Sequence, residues 1–218
     1  MLRTIHQYKL YCSLPSHNRS QMPKERQDEN YFILGLKQNL KTCIKLIQKQ
    51  RIKDEDQVDE ILCFASSFNR MEVFFQMFYK GKLRGKLLSY AFKEAYQDSD
   101  NLFNHKEEIK KLFKKGWIKG EEMQTVESLK FIQELPKKVT IYRGMTLEEK
   151  RSGDFGISWT LNRDIATFFA HEYDRNFATH QKEKTVHSLR INKSDIIAYF
   201  NERNEDEILY LGDRNNNP

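Results

Sequence analysis

A set of polar residues in the second half of the 218-residue chain has the types and positions needed for chemistry on a charged substrate. The segment Tyr142-Arg143-Gly144 ends a short run with strand character, and Ser158 and Thr160 come just before a helix-like segment. Glu205-Asp206-Glu207 opens another strand-like run. The nucleotide-binding, zinc-protease and serine-hydrolase motifs GxGxxG, GxxxxGK[ST], HExxH and GxSxG are absent. This constellation is therefore the candidate site.

Each of these residue types suits a definite role. The planar guanidinium of Arg143 binds phosphates and riboses through paired charge-assisted hydrogen bonds. Glu207, the first residue of an apolar strand, is placed to stabilise positive charge that develops only in a transition state. Residues two apart on a strand share a side, so we expect Glu205 to lie beside Glu207 while Asp206 points away. Glu205 would then orient or deprotonate a second reactant.

In this order and on these elements, the residues resemble the arginine–serine–glutamate class of mono-ADP-ribosyltransferases, which is related to clostridial-type toxins and to phage enzymes that modify host proteins. That class has an arginine on its first core strand, Ser-Thr-Ser on a second strand and Glu/Gln-x-Glu at the start of a later one. Here Arg143, Ser158-Trp159-Thr160 and Glu205-Asp206-Glu207 match those motifs. The tryptophan and the final threonine are similar to a bacterial and phage branch. The resemblance covers residues 140–211.

The resemblance implies that NAD is the co-substrate and that no metal is required. It makes Glu207 and Glu205 the catalytic residues, with Glu207 facing the ribosyl cation and its 2′-hydroxyl. The implied NAD-binding residues are Arg143, Gly144, Tyr142, Ser158, Thr160 and Phe168. The histidines near this region agree with the expectation that no metal is required, because His171, His180 and His187 have no cysteine or histidine at zinc-ligand spacing.

Several roles near the site stay open from the sequence. Ser158 either holds Glu207 by a hydroxyl bond or caps the helix that follows. Trp159 either covers the nicotinamide or belongs to the core. Phe168 and Phe169 are core residues, or one of them lines the nicotinamide pocket. The polar stretch 171–184 is long enough to form a loop over NAD.

The identity of the acceptor is also open. In the resembling class a glutamate at the position of Glu205 goes with arginine acceptors, which favours arginine on a protein, and residues 201–204 would form the acceptor-facing loop. RNA or DNA is the alternative acceptor, because Lys and Arg alternate with aromatic residues in the front of the chain (Tyr8, Tyr11, Tyr31 and Phe32). Hydrolysis of NAD without an acceptor comes third. A helical-repeat interaction module without activity is the non-enzyme hypothesis.

The overall pattern predicts an α+β chain in three parts. Residues 1–27 form a basic lead-in arm, residues 28–136 a helical domain, and residues 137–218 a small ADP-ribosyltransferase-like core with a mixed β-sheet. Apolar residues recur every three or four positions through the helical domain. After Pro136, runs of β-branched and aromatic residues predict strands. They lie at 139–142, 185–191, 195–200 and 207–211, and a helix capped by Asn162 or Asp164 lies between the first two.

A weak internal repeat lies within the helical part. Asn69 to Glu72 and Asn104 to Glu107 match the Asn-x-x-Glu capping box, and each begins an apolar helix that ends at a glycine, Gly81 or Gly116. A matching turn and a second helix follow each glycine. The pattern predicts stacked helical hairpins, and an ordinary helical bundle with similar caps is the alternative.

Charge and composition bear on partners and compartment. The net charge is +6 and the sequence pI is about 9.0, and the excess lies in residues 1–50, whereas residues 151–218 are slightly acidic. The basic front predicts a nucleic-acid substrate or an acidic, antitoxin-like protein partner. The chain has no signal-like or membrane-spanning apolar run, and its three cysteines form no CxxC pair. These features predict a reduced, cytoplasmic protein without a membrane partner, in a toxin, toxin–antitoxin or phage-defence context.

Overall fold

The structure of the chain, a computed structural model, describes residues 26–100, 102–172 and 183–212, with side chains from Gly35 onward. Within these residues the chain forms eight α-helices and one five-stranded sheet, which confirms the predicted α+β class. The chain divides into two compact units, Met1–Asn101 and Leu102–Pro218. Residues 1–25 of the predicted arm lie outside the described residues, as does most of the predicted loop at 171–184.

The first unit is helical in its described part. Its helices are α1 (Arg26–Lys49), α2 (Glu55–Cys63), α3 (Arg70–Tyr79) and α4 (Lys86–Gln97). Asp54 caps α2 by accepting a hydrogen bond from the Gln57 amide. Phe74 of α3 meets Phe92 of α4 edge to face at 5.6 Å in the core.

Cys43 shows how tightly this core is closed. Its side chain is fully buried, and its Sγ donates to the Ile61 carbonyl oxygen at 3.4 Å. Burial raises the pKa of the Cys43 thiol to about 11. The residue is therefore a packed, protonated thiol, as the sequence suggested for the cysteines.

The predicted internal repeat is confirmed at its two helix-ending glycines, but the predicted asparagine caps at the starts of the helices are wrong. Gly81 and Gly116 both have φ +65°, and each ends its helix with the paired backbone hydrogen bonds of a Schellman motif. Asn69 makes no side-chain cap; its Oδ1 instead accepts from the Ser66 amide. Asn104 lies inside the 3-10 turn Phe103–His105, ahead of the helix rather than at its cap.

The two copies of the repeat also belong to different units. The copy around Gly116 is in the second unit, where α5 (Lys106–Lys114) is followed by a 3-10 turn (Gly120–Met123) and α6 (Val126–Glu134). This copy packs on the sheet of its own unit, because Phe131 of α6 stacks on Tyr199 at 4.3 Å and the Gln124 Oε1 accepts from the Tyr199 amide at 2.9 Å. The division of the chain thus falls at residue 101, within the predicted helical domain, whereas the sequence pattern changes at Pro136.

The second unit contains an antiparallel sheet in the order β3-β1-β2-β5-β4. Its strands are β1 (Lys138–Thr146), β2 (Ser158–Thr160), β3 (Lys184–Asn192), β4 (Ala198–Phe200) and β5 (Glu207–Leu209). The predicted strands are confirmed, although residues Lys193–Asp195 form a 3-10 turn that delays β4, and β5 ends at Leu209. The pairing is antiparallel throughout, whereas the sequence suggested a mixed sheet.

Two further helices accompany the sheet, α7 (Leu147–Ser152) and α8 (Arg163–His171). Asn162 caps α8 by accepting from the Asp164 amide, as predicted. Gly144 of β1 lets α8 approach closely, since a Cβ at this position would lie 2.5 Å from the Ala166 carbonyl oxygen and 2.6 Å from the Ala170 amide. Gly144 is therefore a packing residue in this fold.

Among the residues that the structure describes, no helix combines the length and apolar character that crossing a bilayer requires.

Candidate active site

Ser158 and Glu207 meet on neighbouring strands. β2 pairs with β5 so that Thr160 faces Glu207 and Ser158 faces Leu209 across the ladder. The Ser158 Oγ donates to the Glu207 Oε1 at 2.6 Å, and only 8% of the Glu207 side chain is exposed. Since Asn162 caps α8, Ser158 contacts the glutamate rather than serving as the helix cap. The short bond holds the buried carboxylate in one orientation.

Arg143 joins this pair through the backbone of β2. Its Nη1 donates to the Ser158 carbonyl oxygen at 2.8 Å, and its Nε donates to the Glu149 Oε1 at 2.8 Å. The side chains of Arg143 and Glu149 are 23% and 16% exposed. The Nη2 is left with no bonding partner among the described residues. Arg143 is thus fixed on two sides, with one donor group remaining for a ligand.

Glu149 was not recognised from the sequence as part of the site. Besides Arg143, its Oε1 accepts from the Gly156 amide at 2.8 Å. A local signal was present, because Thr146 to Glu149 matches the S/T-x-x-E capping box, and Thr146 does cap α7 by accepting from the Glu149 amide. The pattern places Glu149 in the first turn of α7 but does not reveal that its side chain binds Arg143.

Gly156 and Trp159 shape the space around the guanidinium. A Cβ at Gly156 would lie 2.3 Å from the Arg143 Nη2, so glycine is needed for the guanidinium to lie against this backbone. Trp159 donates from its Nε1 to the Gly156 carbonyl oxygen at 3.0 Å and is 2% exposed. Of the two roles open for Trp159, the structure therefore supports the core role.

Glu205 lies in a turn rather than in a strand. β5 begins at Glu207, and Asp206 has φ +45°, so the expectation that strand alternation sets the two glutamates side by side is wrong. The turn is held by Thr160, whose Oγ1 donates to the Glu205 carbonyl oxygen at 2.7 Å. Asp206 does point elsewhere, accepting from the Tyr199 hydroxyl at 2.7 Å.

Arg203 brings the two glutamates together instead. Its Nη2 donates to the Glu205 Oε2 at 2.8 Å and to the Glu207 Oε2 at 3.3 Å. The side chains of Arg203, Glu205 and Glu207 are 43%, 25% and 8% exposed. One guanidinium therefore bridges a half-exposed and a buried carboxylate, and the sequence had assigned Arg203 only to an acceptor-facing loop.

The other candidate residues lie around this network. Tyr142 is half-buried on β1 and faces Thr160 across the ladder. Phe168 of α8 is 41% exposed and meets Phe169 edge to face at 5.7 Å, so the core role is wrong for Phe168. The side chains of Tyr8, Tyr11, Tyr31 and Phe32 lie outside the described residues.

His187 of β3 sits across the ladder from Arg143. Its ring lies 5.0 Å from that of Phe155, and partial burial, assisted by the nearby charge of Lys150, lowers the pKa of His187 below its ordinary value. This neutral imidazole adds no positive charge beside Arg143 at neutral pH.

In the described part of the chain, no group of three or more His, Cys, Asp or Glu side chains is placed to bind a metal ion. No match to this chain is found among protein-family models, curated proteins or solved structures.

Proposed function

We propose that the chain is a mono-ADP-ribosyltransferase that transfers ADP-ribose from NAD to a macromolecular acceptor. The observation that carries the proposal is the network in which Ser158 bonds Glu207, Arg143 bonds the backbone of Ser158, and Thr160 bonds the backbone of Glu205. These residues come from three separate regions of the chain, and the resemblance in the sequence gives them a shared task. A core of the ADP-ribosyltransferase type, built on this antiparallel sheet, is part of the proposal.

The roles follow from the contacts. NAD supplies the ADP-ribose and a nicotinamide leaving group. Glu207, fixed by Ser158 and largely buried, stabilises the positive charge that the ribose develops, and low exposure strengthens this interaction. Arg143, held by Glu149, offers its Nη2 to the phosphates and riboses. Thr160 fixes the turn that carries Glu205.

Arginine on a protein is the acceptor that the site favours. The carboxylates of Glu205 and Glu207 already hold a guanidinium between them, that of Arg203, at 2.8 and 3.3 Å. A carboxylate pair that binds one guanidinium has the charge and the spacing to bind another, and an acidic pair is unfavourable for the phosphates of RNA or DNA. Glu205 then accepts the proton that the incoming guanidinium loses.

The decisive experiment incubates the purified chain with radiolabelled NAD and total cell lysate, followed by separate protease and nuclease digestion. We expect label on lysate proteins other than the chain itself, and this label is removed by protease but not by nuclease. Label that nuclease removes and protease does not would identify nucleic acid, rather than protein, as the acceptor. Such a transferase fits a toxin, toxin–antitoxin or phage-defence role, with an acidic antitoxin-like protein as a partner of the basic front.

Glu207→Gln tests the site itself. The amide keeps the shape of the side chain but removes its charge, so we expect nicotinamide release to fall by at least about 100-fold, while thermal unfolding changes little. Glu134→Gln, an exposed glutamate at the end of α6, is the matched control and should keep wild-type activity. Wild-type turnover in Glu207→Gln would refute the assignment, and an inactive wild-type chain would support the non-catalytic interaction module.

A further inference from the structure

The Arg203 guanidinium occupies the position that an acceptor arginine would take. It bonds to both carboxylates of the pair, and 43% of its side chain is exposed, so there is room for a reactant on its open side. The turn that carries it is fixed from several directions. Asn201 accepts from the Asn204 amide through its carbonyl oxygen and from the Asp206 amide through its side chain. Thr160 anchors the Glu205 carbonyl.

The backbone of this turn is held in an unusual conformation. Asn204 and Asp206 have φ values of +56° and +45°, in the left-handed region that most residues avoid. The two residues on either side of Glu205 therefore bend the chain back, and this bend places Arg203 over the carboxylates that follow it. The cost of the bend is offset by the hydrogen bonds that surround it.

We infer that Arg203 is an ADP-ribose acceptor within the same chain, a covalent modification site next to the catalytic glutamates. The inference rests on the proposed transferase function. The bond between nicotinamide and the ribose C1″ breaks, and its electron pair leaves with neutral nicotinamide. The Arg203 Nη2 gives one proton to the Glu205 carboxylate, from which it passes to water, and the freed electron pair forms the new bond from Nη2 to C1″.

Proximity favours Arg203 over other arginines. A group held within hydrogen-bond distance of the reacting centre behaves as if present at very high concentration. Arg143 is largely buried and bonded to Glu149 and to the Ser158 carbonyl, which makes it a poor acceptor. Arg190 on β3 is exposed but faces Thr140 of β1, at a strand pair separated from β5 by β2.

The test incubates the purified full chain with NAD, without any other acceptor, and maps the modified peptide by mass spectrometry. We expect one ADP-ribose on Arg203, formed with a first-order rate constant that does not depend on protein concentration. Arg203→Lys should lose at least about 90% of the label, because proximity is the source of the rate. Arg190→Lys is the matched control and should keep the label.

Nicotinamide release is measured in the same reactions. It tests the transferase function independently of the assignment of Arg203 as the acceptor. Label mapped to Arg203 in the wild-type chain supports Arg203 as the acceptor. Because Arg203 also donates a hydrogen bond to Glu207, the label on Arg203→Lys is expressed per nicotinamide released. Label on another residue, full label on Arg203→Lys, or a rate that rises with protein concentration would overturn the inference while leaving the transferase function intact. Absence of nicotinamide release from the wild-type chain would overturn both.

Discussion

The burial of Glu207 explains why a single serine matters. A carboxylate with 8% exposure is unfavourable unless its oxygens accept hydrogen bonds, and here Ser158 bonds one oxygen and Arg203 the other. These bonds reduce the cost of burial and fix the direction in which the charge acts. Orientation matters for catalysis because a charge must already face the site where the transition state becomes positive.

Ser158→Ala removes one of those two bonds. Hydrogen bonds to charged groups contribute about 1.5–3 kcal/mol, so we expect kcat for nicotinamide release to fall by about 10- to 100-fold. The KM for NAD should change less, since the hydroxyl acts through Glu207. Ser188→Ala, an exposed serine on β3, is the control. A wild-type kcat in Ser158→Ala would mean that the hydroxyl does not position the carboxylate.

His187 gives a pH dependence of stability. Burial lowers the pKa of His187 below its ordinary value of 6.5, so below that pH the unfolded chain binds a proton more readily than the folded one. His187 therefore makes its full contribution to the free energy of unfolding above pH 6.5. This contribution is lost as the pH falls towards the folded-state pKa. Urea unfolding between about pH 8 and pH 5 should show a smaller decrease for His187→Gln than for the wild-type chain. Identical decreases would exclude His187 as the cause.

At the level of elements, the substitution Gly156→Ala tests whether contacts from α7 and β1 hold Arg143 in the position that NAD binding needs. An alanine Cβ would displace the flexible end of Arg143, breaking its bonds to Glu149 and to the Ser158 carbonyl. We expect the KM for NAD to rise by about 10-fold or more, because charge-assisted bonds are lost. The free energy of unfolding should change little, since a side chain rather than backbone must move.

Gly35→Ala is the matched control for that substitution. Gly35 is exposed within α1, and a Cβ there meets no atom within 4 Å. Alanine should stabilise this helix by up to about 1 kcal/mol and leave NAD consumption unchanged. If Gly156→Ala kept the wild-type KM, the fixed position of Arg143 would be irrelevant to NAD binding.

The strands and α8 were predictable because their signals are local. Runs such as Val139 to Tyr142 favour extended backbone, and Asn162 is a good helix cap wherever the helix packs. The order β3-β1-β2-β5-β4 was not predictable, because each pairing joins segments far apart in the chain. Ser158 and Glu207 meet only through that order, and their contact could be expected only from the resemblance.

Other parts of the site depend on tertiary contacts that leave no sequence pattern. Glu149 looks like an ordinary residue of a capping box, and only the packing of α7 directs its carboxylate to Arg143. The sequence around Glu205 predicts a strand, but Asp206 has a left-handed backbone conformation. Glu205 therefore lies outside the strand that follows. Asn69 has the sequence of a helix cap, yet its side chain bonds the Ser66 amide and the Leu36 carbonyl oxygen.

At the scale of the whole molecule, the excess positive charge and the candidate site lie in different parts of the chain. The excess positive charge lies in residues 1–50, whereas every residue of the network around Glu207 belongs to the unit Leu102–Pro218. If the basic front serves a partner or a substrate, it does so from a unit that contributes none of the proposed catalytic residues. The chemistry and the docking charge can therefore be tested on separate pieces of the chain.

Two fragments test where the catalytic unit begins. In the fragment 102–218, Phe131 still stacks on Tyr199 and Lys106 still bonds Asp154, so we expect cooperative thermal unfolding and nicotinamide release close to that of the full chain. The fragment 137–218 begins where the sequence pattern changes and lacks α5 and α6, which leaves the Tyr199 ring uncovered and its amide without Gln124. We expect this shorter fragment to unfold without a cooperative transition, because it loses buried apolar area that a small sheet cannot replace. A stably folded, active 137–218 fragment would place the true boundary at Pro136 and make the preceding helices dispensable.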